Sequence, residues 1–381
     1  MNSITRSSIL WIWSSLVLGS FAHAETEKPD VSISGFFDGY YSFNFNNPPQ
    51  TSGISSASVA AAGIPPANNT YRYYDTYHNQ LTLSLAELTI KAAYKEVSLV
   101  TDFDFGPFAD LNASTSSSSG VLADESSKHI GQAVISYRPS GSRFSVHAGK
   151  MYSHLGVETV KSKDNFNYSR SILFSFAIPF WHTGIRVGFE AIPETLQASL
   201  YIYNGWNTQY DINRSKTIGA QLRYTPSERV TVGYNFIGGP ERANSESDWK
   251  SVHELGATIS ATNSTSLIGD VVYGFEENAS VGGVSKRAKW YGALVGVRQQ
   301  ISEKSYLSPR FEVYRDNDGY TLGGAPQTIN SVTLTFGHKL TSGLETRAEA
   351  RGDFSNESSF AKDTGTSKSQ TTLLVAGLFT F

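Results

Sequence analysis

The feature that most constrains this chain is a two-residue alternation of side-chain character, which recurs along most of the sequence after residue 30. It is sharpest in residues 344–354, LETRAEARGDF, where every odd position is charged and every even position is small or apolar. Because successive side chains of a β-strand point to opposite faces, this segment presents one charged and one apolar face. A single strand of a soluble sandwich shows the same pattern, so the number and spacing of the strands must decide the fold.

The alternation divides the chain into about sixteen predicted strands. Many of them are close to the ~9–11 residues with which a tilted strand crosses a bilayer. The predicted strands span roughly residues 31–46, 76–94, 97–105, 129–138, 143–152, 181–192, 195–204, 215–224, 229–238, 249–262, 265–275, 287–299, 305–315, 326–340, 344–354 and 369–381.

The connections between these strands alternate in length. Short connections lie at residues 95–96, 139–142, 193–194, 225–228, 262–264 and 341–343. Long ones lie at roughly 47–75, 106–128, 153–180, 205–214, 239–248, 276–286, 316–325 and 355–368. Short turns at one end, long loops at the other and an even strand number are typical of outer-membrane barrels. We therefore predict an all-β fold, a transmembrane antiparallel up-and-down β-barrel of about 16 strands with short periplasmic turns and long extracellular loops.

One predicted strand changes face along its length. Leu81, Leu83 and Leu85 occupy odd positions, whereas Leu88 and Ile90 occupy even ones. A β-bulge near residues 86–87 would reconcile the two halves, because one extra residue reverses the facing. The alternative is that one half of this strand projects beyond the membrane.

The first 24 residues read as a secretory signal peptide. Arg6 gives a basic start, residues 9–18 are apolar, and Ala22-His23-Ala24 matches the small-x-small cleavage pattern. Residues 25–381 are then expected to form a single outer-membrane β-barrel domain. Localisation in the bacterial outer membrane follows from export together with the barrel pattern.

Composition excludes several other classes of protein. No apolar run after residue 24 approaches the ~18–20 residues of a membrane-spanning helix. The chain has no cysteine, which excludes disulfide scaffolds, thiolate metal sites and a lipid-anchored cysteine. The net charge of -3 lacks the basic footprint of a nucleic-acid-binding protein. We expect no nucleic acid and no cofactor.

If the apolar side chains face lipid, the charged ones between them face the lumen. An arginine on the lipid face near the midplane would cost about 2–4 kcal/mol. The residues predicted to line the pore on this basis are Arg143, Arg186, Arg223, Arg298, Arg310, Arg347, Arg351, Asp102, Asp104, Glu190, Glu312, Glu345, Glu349 and Asp353. A barrel this wide encloses water, so the sequence predicts a passive channel for small hydrophilic solutes and ions. The two signs balance in this set, which predicts no steep ion selectivity from the wall alone.

The connection at about 153–180 is the predicted constriction loop. It combines charged residues with the apolar run at 172–180, which is too apolar to extend freely into water. Folding inward would place its charges opposite the lumenal arginines; packing on the rim or at a subunit contact is the alternative. The candidate constriction residues are Glu158, Lys161, Lys163, Asp164, Tyr168 and Arg170.

Several segments resemble the OmpL-like β-barrel porin family of bacterial outer membranes. They follow one another in the family's order over residues 35–240, whereas the C-terminal third is similar only as a generic barrel. The segments are GFFDGYY at 35–41 with NFN at 44–46, YHNQL at 77–81, LAEL at 85–88, GK at 149–150, NYSRS at 167–171, HTGIR at 182–186 and NGWN at 204–207. The resemblance implies an outer-membrane porin but no particular substrate.

The last strand predicts a partner. Leu373, Val375, Phe379 and the terminal Phe381 form an alternating apolar row that ends in an aromatic residue. Such a row resembles the signal by which the barrel-assembly machinery recognises outer-membrane proteins. The other expected partners are outer-membrane lipids with lipopolysaccharide and, by analogy with general porins, two further copies in a homotrimer.

Two other functions fit an outer-membrane barrel. Its long loops could make it an adhesin or receptor, and some barrels are hydrolases. The sequence contains no HExxH, no Gly-x-Ser-x-Gly and no GxxxxGK[ST] motif, and His253-Glu254 lacks the second histidine of a zinc site. A catalytic triad assembled across strands would leave no such motif. We predict that the chain is not an enzyme and has no catalytic or metal-binding residues.

Overall fold

The computed structural model describes residues 28–48, 69–114, 127–243 and 245–381. The expected signal peptide lies outside the described residues. Sixteen antiparallel strands pair in chain order and close into one barrel, in which the first strand pairs with the last. The predicted up-and-down barrel of about 16 strands is therefore confirmed.

The strands β1–β15 and β18 form the barrel, and β16 with β17 forms a small hairpin in the loop between β15 and β18. Their bounds are β1 (Asp30–Asn44), β2 (Leu81–Tyr94), β3 (Val97–Phe105), β4 (Ile130–Tyr137), β5 (Phe144–Tyr152), β6 (Trp181–Ile192), β7 (Leu196–Tyr203), β8 (Thr217–Ser227), β9 (Val230–Pro240), β10 (Trp249–Ser260), β11 (Thr265–Val281), β12 (Val284–Gln300), β13 (Ser305–Asp316), β14 (Gln327–Lys339), β15 (Leu344–Ser355), β16 (Phe360–Ala361), β17 (Thr366–Ser367) and β18 (Ser369–Thr380).

Within the described ranges, helical structure is confined to the connections between strands. The α-helices are α1 (Pro107–Ser114), between β3 and β4, and α2 (Ile172–Ala177), between β5 and β6. Single 3₁₀ turns occur at Ser127–His129 and Ser162–Asp164. None of the helices in the described ranges is long and apolar enough to cross a membrane.

The alternation of the sequence becomes two faces of the closed sheet. On β8, Leu222 and Tyr224 are each 47% exposed on the outer face, and Arg223 between them points to the opposite, inner face. On β15, the alternate residues Arg347, Glu349, Arg351 and Asp353 point inward and are buried. Apolar side chains outside and charged side chains inside are the arrangement that a lipid bilayer requires of a barrel wall.

One predicted loop is wrong. Residues 276–286 do not form a long loop, because β11 and β12 continue to Val281 and Val284 and are 17 residues long each. Gly282 and Gly283 make the connection with φ angles of 58° and 79°. A two-residue hairpin turn of type I′ needs positive φ at both positions, which glycine adopts without strain, so the hairpin can extend beyond the rim.

The change of face in β2 is a β-bulge, two residues before the predicted position. Asp38 pairs with Leu85 and Gly39 pairs with Leu83, which leaves Ser84 as the extra residue. Leu83 is 57% exposed on the outer face, whereas Leu85 is fully buried inside. One unpaired residue thus turns the second half of the strand over, as the period-2 geometry demands.

The assignment of inner and outer faces predicts that an arginine introduced on the outer face of β7 lowers the free energy of unfolding more than one introduced on its inner face. Leu200→Arg places a charge on the outer face, where Leu200 is 67% exposed, and should lower the free energy of unfolding by about 2–4 kcal/mol in lipid. Gln197→Arg, on the inner face of the same strand, is the matched control and should change it by less than about 1 kcal/mol. Urea unfolding of the refolded protein in lipid vesicles measures both. Equal losses would contradict the assignment of faces.

Candidate functional site

The connection between β5 and β6, residues 153–180, lies against the inner wall of the barrel; we call it the inner loop. Its apolar side chains are buried, with Ile172 and Leu173 at 0% exposure. Wall glycines leave room for it: a Cβ on Gly292 of β12 would lie 2.7 Å from Leu173 Cδ1, and one on Gly256 of β10 would lie 2.7 Å from Val157 Cγ1. The inner loop is therefore packed onto the wall like a core segment.

Two wall carboxylates hold the backbone of the inner loop. Glu312 of β13 accepts hydrogen bonds from Ile172 N at 2.7 Å and Leu173 N at 3.2 Å. Glu349 of β15 accepts from Tyr168 N at 2.7 Å and from Ser169 N at 3.1 Å. Buried N–H groups need such partners, because leaving one unsatisfied costs about 1–3 kcal/mol.

Three wall arginines bind the carbonyl groups of the same loop. Arg310 Nη1 donates to Ser169 O at 2.7 Å and also contacts the Glu158 carboxylate. Arg347 Nη1 donates to Ser162 O at 2.8 Å. Arg351 Nη1 donates to Arg170 O at 2.7 Å, while its Nε and Nη2 pair with Asp353 and Glu312.

The opposite flank of the inner loop is anchored on β1, β2 and β3. The Lys161 ammonium pairs with Glu87 and, at 2.8 Å, with Asp104 Oδ1. Asp38 accepts from Ser162 Oγ and, at 2.7 Å, from the Tyr168 hydroxyl. Burial raises the pKa of Tyr168 well above its usual value, so its hydroxyl keeps the proton that it donates.

The six predicted constriction residues divide into two groups. Glu158, Lys161, Tyr168 and Arg170 are at most 5% exposed and hold the loop in place. Arg170 donates to Tyr168 O at 2.9 Å and to Val160 O, and its guanidinium lies 4.5 Å from the centre of the Tyr74 ring. Lys163 and Asp164 keep solvent exposure, pair with each other at 2.9 Å and border a cavity of about 510 Å³ between the inner loop and the wall.

The residues predicted to line the pore also divide by burial. Besides Glu312, Glu349, Asp104, Arg310, Arg347 and Arg351, the buried ones are Asp102, which accepts from Thr89 and Gln132, and Asp353. Glu190 and Glu345 are half-buried and accept from Arg138 and Arg347.

The other four arginines of that set make no ion pair within the described ranges and keep solvent exposure. Arg186 donates to Ser199 Oγ at 3.2 Å, and Arg298 lies 3.7 Å from the centre of the Tyr306 ring. Arg143 lies in the turn before β5 rather than on a strand and donates to Ala191 O at 3.3 Å. The side chain of Arg223 makes no hydrogen bond with any described residue.

A second segment, residues 69–79, also packs inside the barrel on the same side as the inner loop, and the sequence did not indicate it. Arg72 is 3% exposed and pairs with Asp75 at 3.1 Å and with Asp353 at 2.7 Å. The Tyr74 ring stacks on Phe108 of α1 at 4.7 Å. These residues follow no strand or helix period. The one feature of the sequence that could have revealed their burial is the concentration of aromatic and charged residues at 71–75.

His154, the second residue after β5, fixes where the inner loop leaves the wall. His154 Nδ1 accepts from the Tyr203 hydroxyl at 3.1 Å, and Nε2 donates to Phe236 O at 3.0 Å. The imidazole also stacks on Tyr201 at 4.2 Å. Burial lowers the pKa of His154 to about 4, so the ring is neutral at pH 7, as its one-donor, one-acceptor pattern requires.

Beyond His154, which contacts β7–β9, the inner loop leaves one arc of the wall free. Within the described part of the chain, no hydrogen bond or ion pair joins residues 155–178 to strands β4–β8. The inner faces of these strands carry polar side chains that keep exposure, among them Gln197, Gln221 and Arg223. The described residues contain no cluster of three or more His, Asp or Glu side chains that could hold a metal ion.

Comparison with protein families identifies the barrel. Residues 30–381 match the family model described as "Putative beta-barrel porin-2, OmpL-like". The chain belongs to this family. It is a porin of the bacterial outer membrane, as its resemblance to the family implied. A search of the curated proteins finds no match to it.

Solved structures share the fold of this porin at low identity. The outer membrane channel DcaP of Acinetobacter baumannii is 12% identical, with a TM-score of 0.58 over 93% of this chain and 97% of that one. An anion-selective porin from Comamonas acidovorans is 11% identical, with a TM-score of 0.60 over 93% and 100%. The trimer form of OmpT from Vibrio cholerae is 10% identical, with a TM-score of 0.58 over 93% and 100%.

Loss of one carboxylate anchor should loosen the inner loop. Glu349→Ala leaves the amides of Tyr168 and Ser169 without a buried acceptor, at a cost of about 1–3 kcal/mol each. Trypsin should then cleave after Lys161 or Lys163 at least tenfold faster in the folded porin. Glu303→Ala, in an exposed turn, is the control. Equal cleavage rates for the two variants would contradict the anchoring role of Glu349.

The buried imidazole predicts an acid-sensitive stability. Because the pKa of His154 is about 4 in the folded porin and near 6.5 in the unfolded chain, protons bind the unfolded chain preferentially between these values. The contribution of His154 is therefore complete above about pH 6.5 and is lost as the pH falls towards 4. Urea midpoints from pH 7 to pH 4 should fall less steeply in His154→Gln than in the parent. His253→Gln, on the outer face of β10, is the control and should keep the parent's slope; an unchanged slope in His154→Gln would refute the assignment.

Proposed function

We propose that the porin is a passive, water-filled channel for small hydrophilic solutes and ions, and that its open path runs beside strands β4–β8. The observation that carries the proposal is the one-sided placement of the inner loop. His154, at its start, is bound by β7–β9, but from residue 155 to residue 178 its anchors lie on β10, β12–β15 and β1–β3. No hydrogen bond or ion pair within the described ranges ties residues 155–178 to β4–β8.

Physical constraints on the wall support this path. Wall side chains do not fill a sixteen-stranded barrel, so the interior not occupied by the inner loop and residues 69–79 holds water. The inner face of β4–β8 offers side chains that water and solutes can hydrogen-bond, including Gln132, Ser136, Gln197, Gln221 and Arg223. A polar wall beside a packed loop limits solutes by size and by local charge.

In the proposed channel, the constriction and pore-lining residues have two different roles. The buried group, which includes Glu158, Lys161, Arg170 and the wall residues that bind them, sets the width of the path by holding the loop. The exposed group, which includes Lys163, Asp164, Arg186 and Arg223, contacts solutes.

The proposed surroundings of the porin follow from its outer face and its last strand. Lipid and lipopolysaccharide would contact the outer apolar rows, and the barrel-assembly machinery would bind the C-terminal strand. Phe381, which is 63% exposed, supports the latter: its backbone pairs with Gly35, which closes the sheet, and its ring stays available. A homotrimer is proposed because OmpT, a neighbour in fold, occurs in a trimer form.

Single-channel recording tests the function. The refolded porin in a planar bilayer should give stable conductance steps whose size grows in proportion to salt concentration, as expected for a water-filled path. The same sample after heat unfolding should give none. A folded, heat-modifiable barrel that gave no steps would contradict the proposal.

A further inference from the structure

We propose that the solutes of this channel are small anions, including carboxylates, and that they are selected by a basic face on strands β4–β8. We define the basic face by Arg186 of β6, Arg223 of β8, and Arg138 and Arg143 in the turn between β4 and β5. The inference rests on the proposed channel function and adds to it the chemical class of the solute.

Burial separates the two signs of charge in the lumen. Five of the seven acids predicted to line the pore are at most 5% exposed, namely Asp102, Asp104, Glu312, Glu349 and Asp353. Only three of the seven arginines are buried to that extent, namely Arg310, Arg347 and Arg351. Asp104, Glu312 and Glu349 bind the inner loop, whereas Asp102 and Asp353 bind wall side chains and Arg72. The balanced inventory of the sequence therefore does not translate into a balanced field in the water.

The arc that the inner loop leaves free has almost no acid. Across β4–β8 the strands contain a single Asp or Glu, Glu190, and its carboxylate accepts from Arg138 at 2.8 Å. Arg143, Arg186 and Arg223 have no carboxylate partner within the described ranges. One sign of charge along a low-dielectric wall concentrates the opposite ions beside it.

Two guanidinium groups of this face, those of Arg186 and Arg223, have terminal N–H groups available for a ligand. Arg186 uses only Nε, which donates to Ser199 Oγ, and both terminal amino groups lack partners among the described residues. These terminal N–H groups form part of the planar fork that binds a carboxylate through two parallel hydrogen bonds. Arg223 is exposed and has its whole guanidinium free.

The two arginines stand at different depths along the path. Arg186 pairs with Tyr201 across β6 and β7, Tyr201 pairs with Gly219 across β7 and β8, and Arg223 lies four residues further along β8 towards the turns. At ~3.3 Å per residue, they are about 13 Å apart along the strand direction, which exceeds the ~8 Å screening length of physiological salt. They therefore act as two successive and independent sites for a passing anion.

The test is the reversal potential of the porin in a planar bilayer under a KCl gradient, repeated with potassium acetate. The parent should pass chloride and acetate in preference to potassium. Arg186→Glu and Arg223→Glu should each lower the chloride-to-potassium permeability ratio by roughly fivefold, which corresponds to the ~1 kcal/mol with which unit charges near contact interact in water. The double variant should show the product of the two changes. Arg186→Lys keeps the charge and should lower the ratio for acetate more than that for chloride, because an ammonium lacks the planar fork.

Lys304→Glu is the matched control, because it makes the same charge reversal in an exposed turn between β12 and β13. Its permeability ratio should remain that of the parent. If the parent gives conductance steps but its chloride-to-potassium permeability ratio is at or below one, the anion inference is refuted while the channel function stands. The same conclusion follows if the double variant keeps the permeability ratio of the parent. Absence of any steps from the folded barrel would refute the channel and the anion inference together.

Discussion

The structure depends on a set of buried contacts between the inner loop and the barrel wall. Glu312 and Glu349 accept from loop amides, and Arg310, Arg347 and Arg351 donate to loop carbonyls. Burying so many charges would be unfavourable if any were unpaired, and here each carboxylate and guanidinium meets several partners. A loop held in this way defines one edge of the channel, and the arc of wall that it leaves free defines the other.

Several segments that carry the family resemblance contact one another at the inner loop. Asp38 and Tyr40 belong to the first segment, and they meet Tyr168 of the NYSRS segment through a hydrogen bond and a ring contact at 5.7 Å. Glu87 of the LAEL segment meets Lys161. Asn207 of the NGWN segment accepts from Phe180 N at the end of the loop, at 2.6 Å. The segments that carry the resemblance thus supply the anchors of the inner loop on β1, on β2 and after β7. Its other anchors, on β13 and β15, lie in the C-terminal third, where the sequence is similar only as a generic barrel.

The sequence predicted the barrel well because the wall obeys a simple period. Strands such as 97–105 and 181–192 were predicted at the observed bounds, since lipid on one side and water on the other leave little freedom in side-chain type. The loops obey no period. The hairpin at Gly282 and Gly283 was therefore mistaken for a loop, and the burial of Arg72 and Tyr74 was missed. Charge balance in the sequence does not determine the field in the lumen, because the sequence does not reveal which charges pair with the inner loop.

The central claim is that the inner loop covers one arc of the wall and leaves β4–β8 open to solutes. Cysteine accessibility tests it most directly, since the chain has no cysteine of its own. Arg223→Cys lies on the open arc, and Thr335→Cys lies beneath the loop, where Asn167 donates to Thr335 Oγ1 at 2.7 Å. A charged thiol reagent added during single-channel recording should react with the first within seconds and reduce its current, and should leave the second unchanged. Rapid reaction at position 335, or none at position 223, would contradict the account.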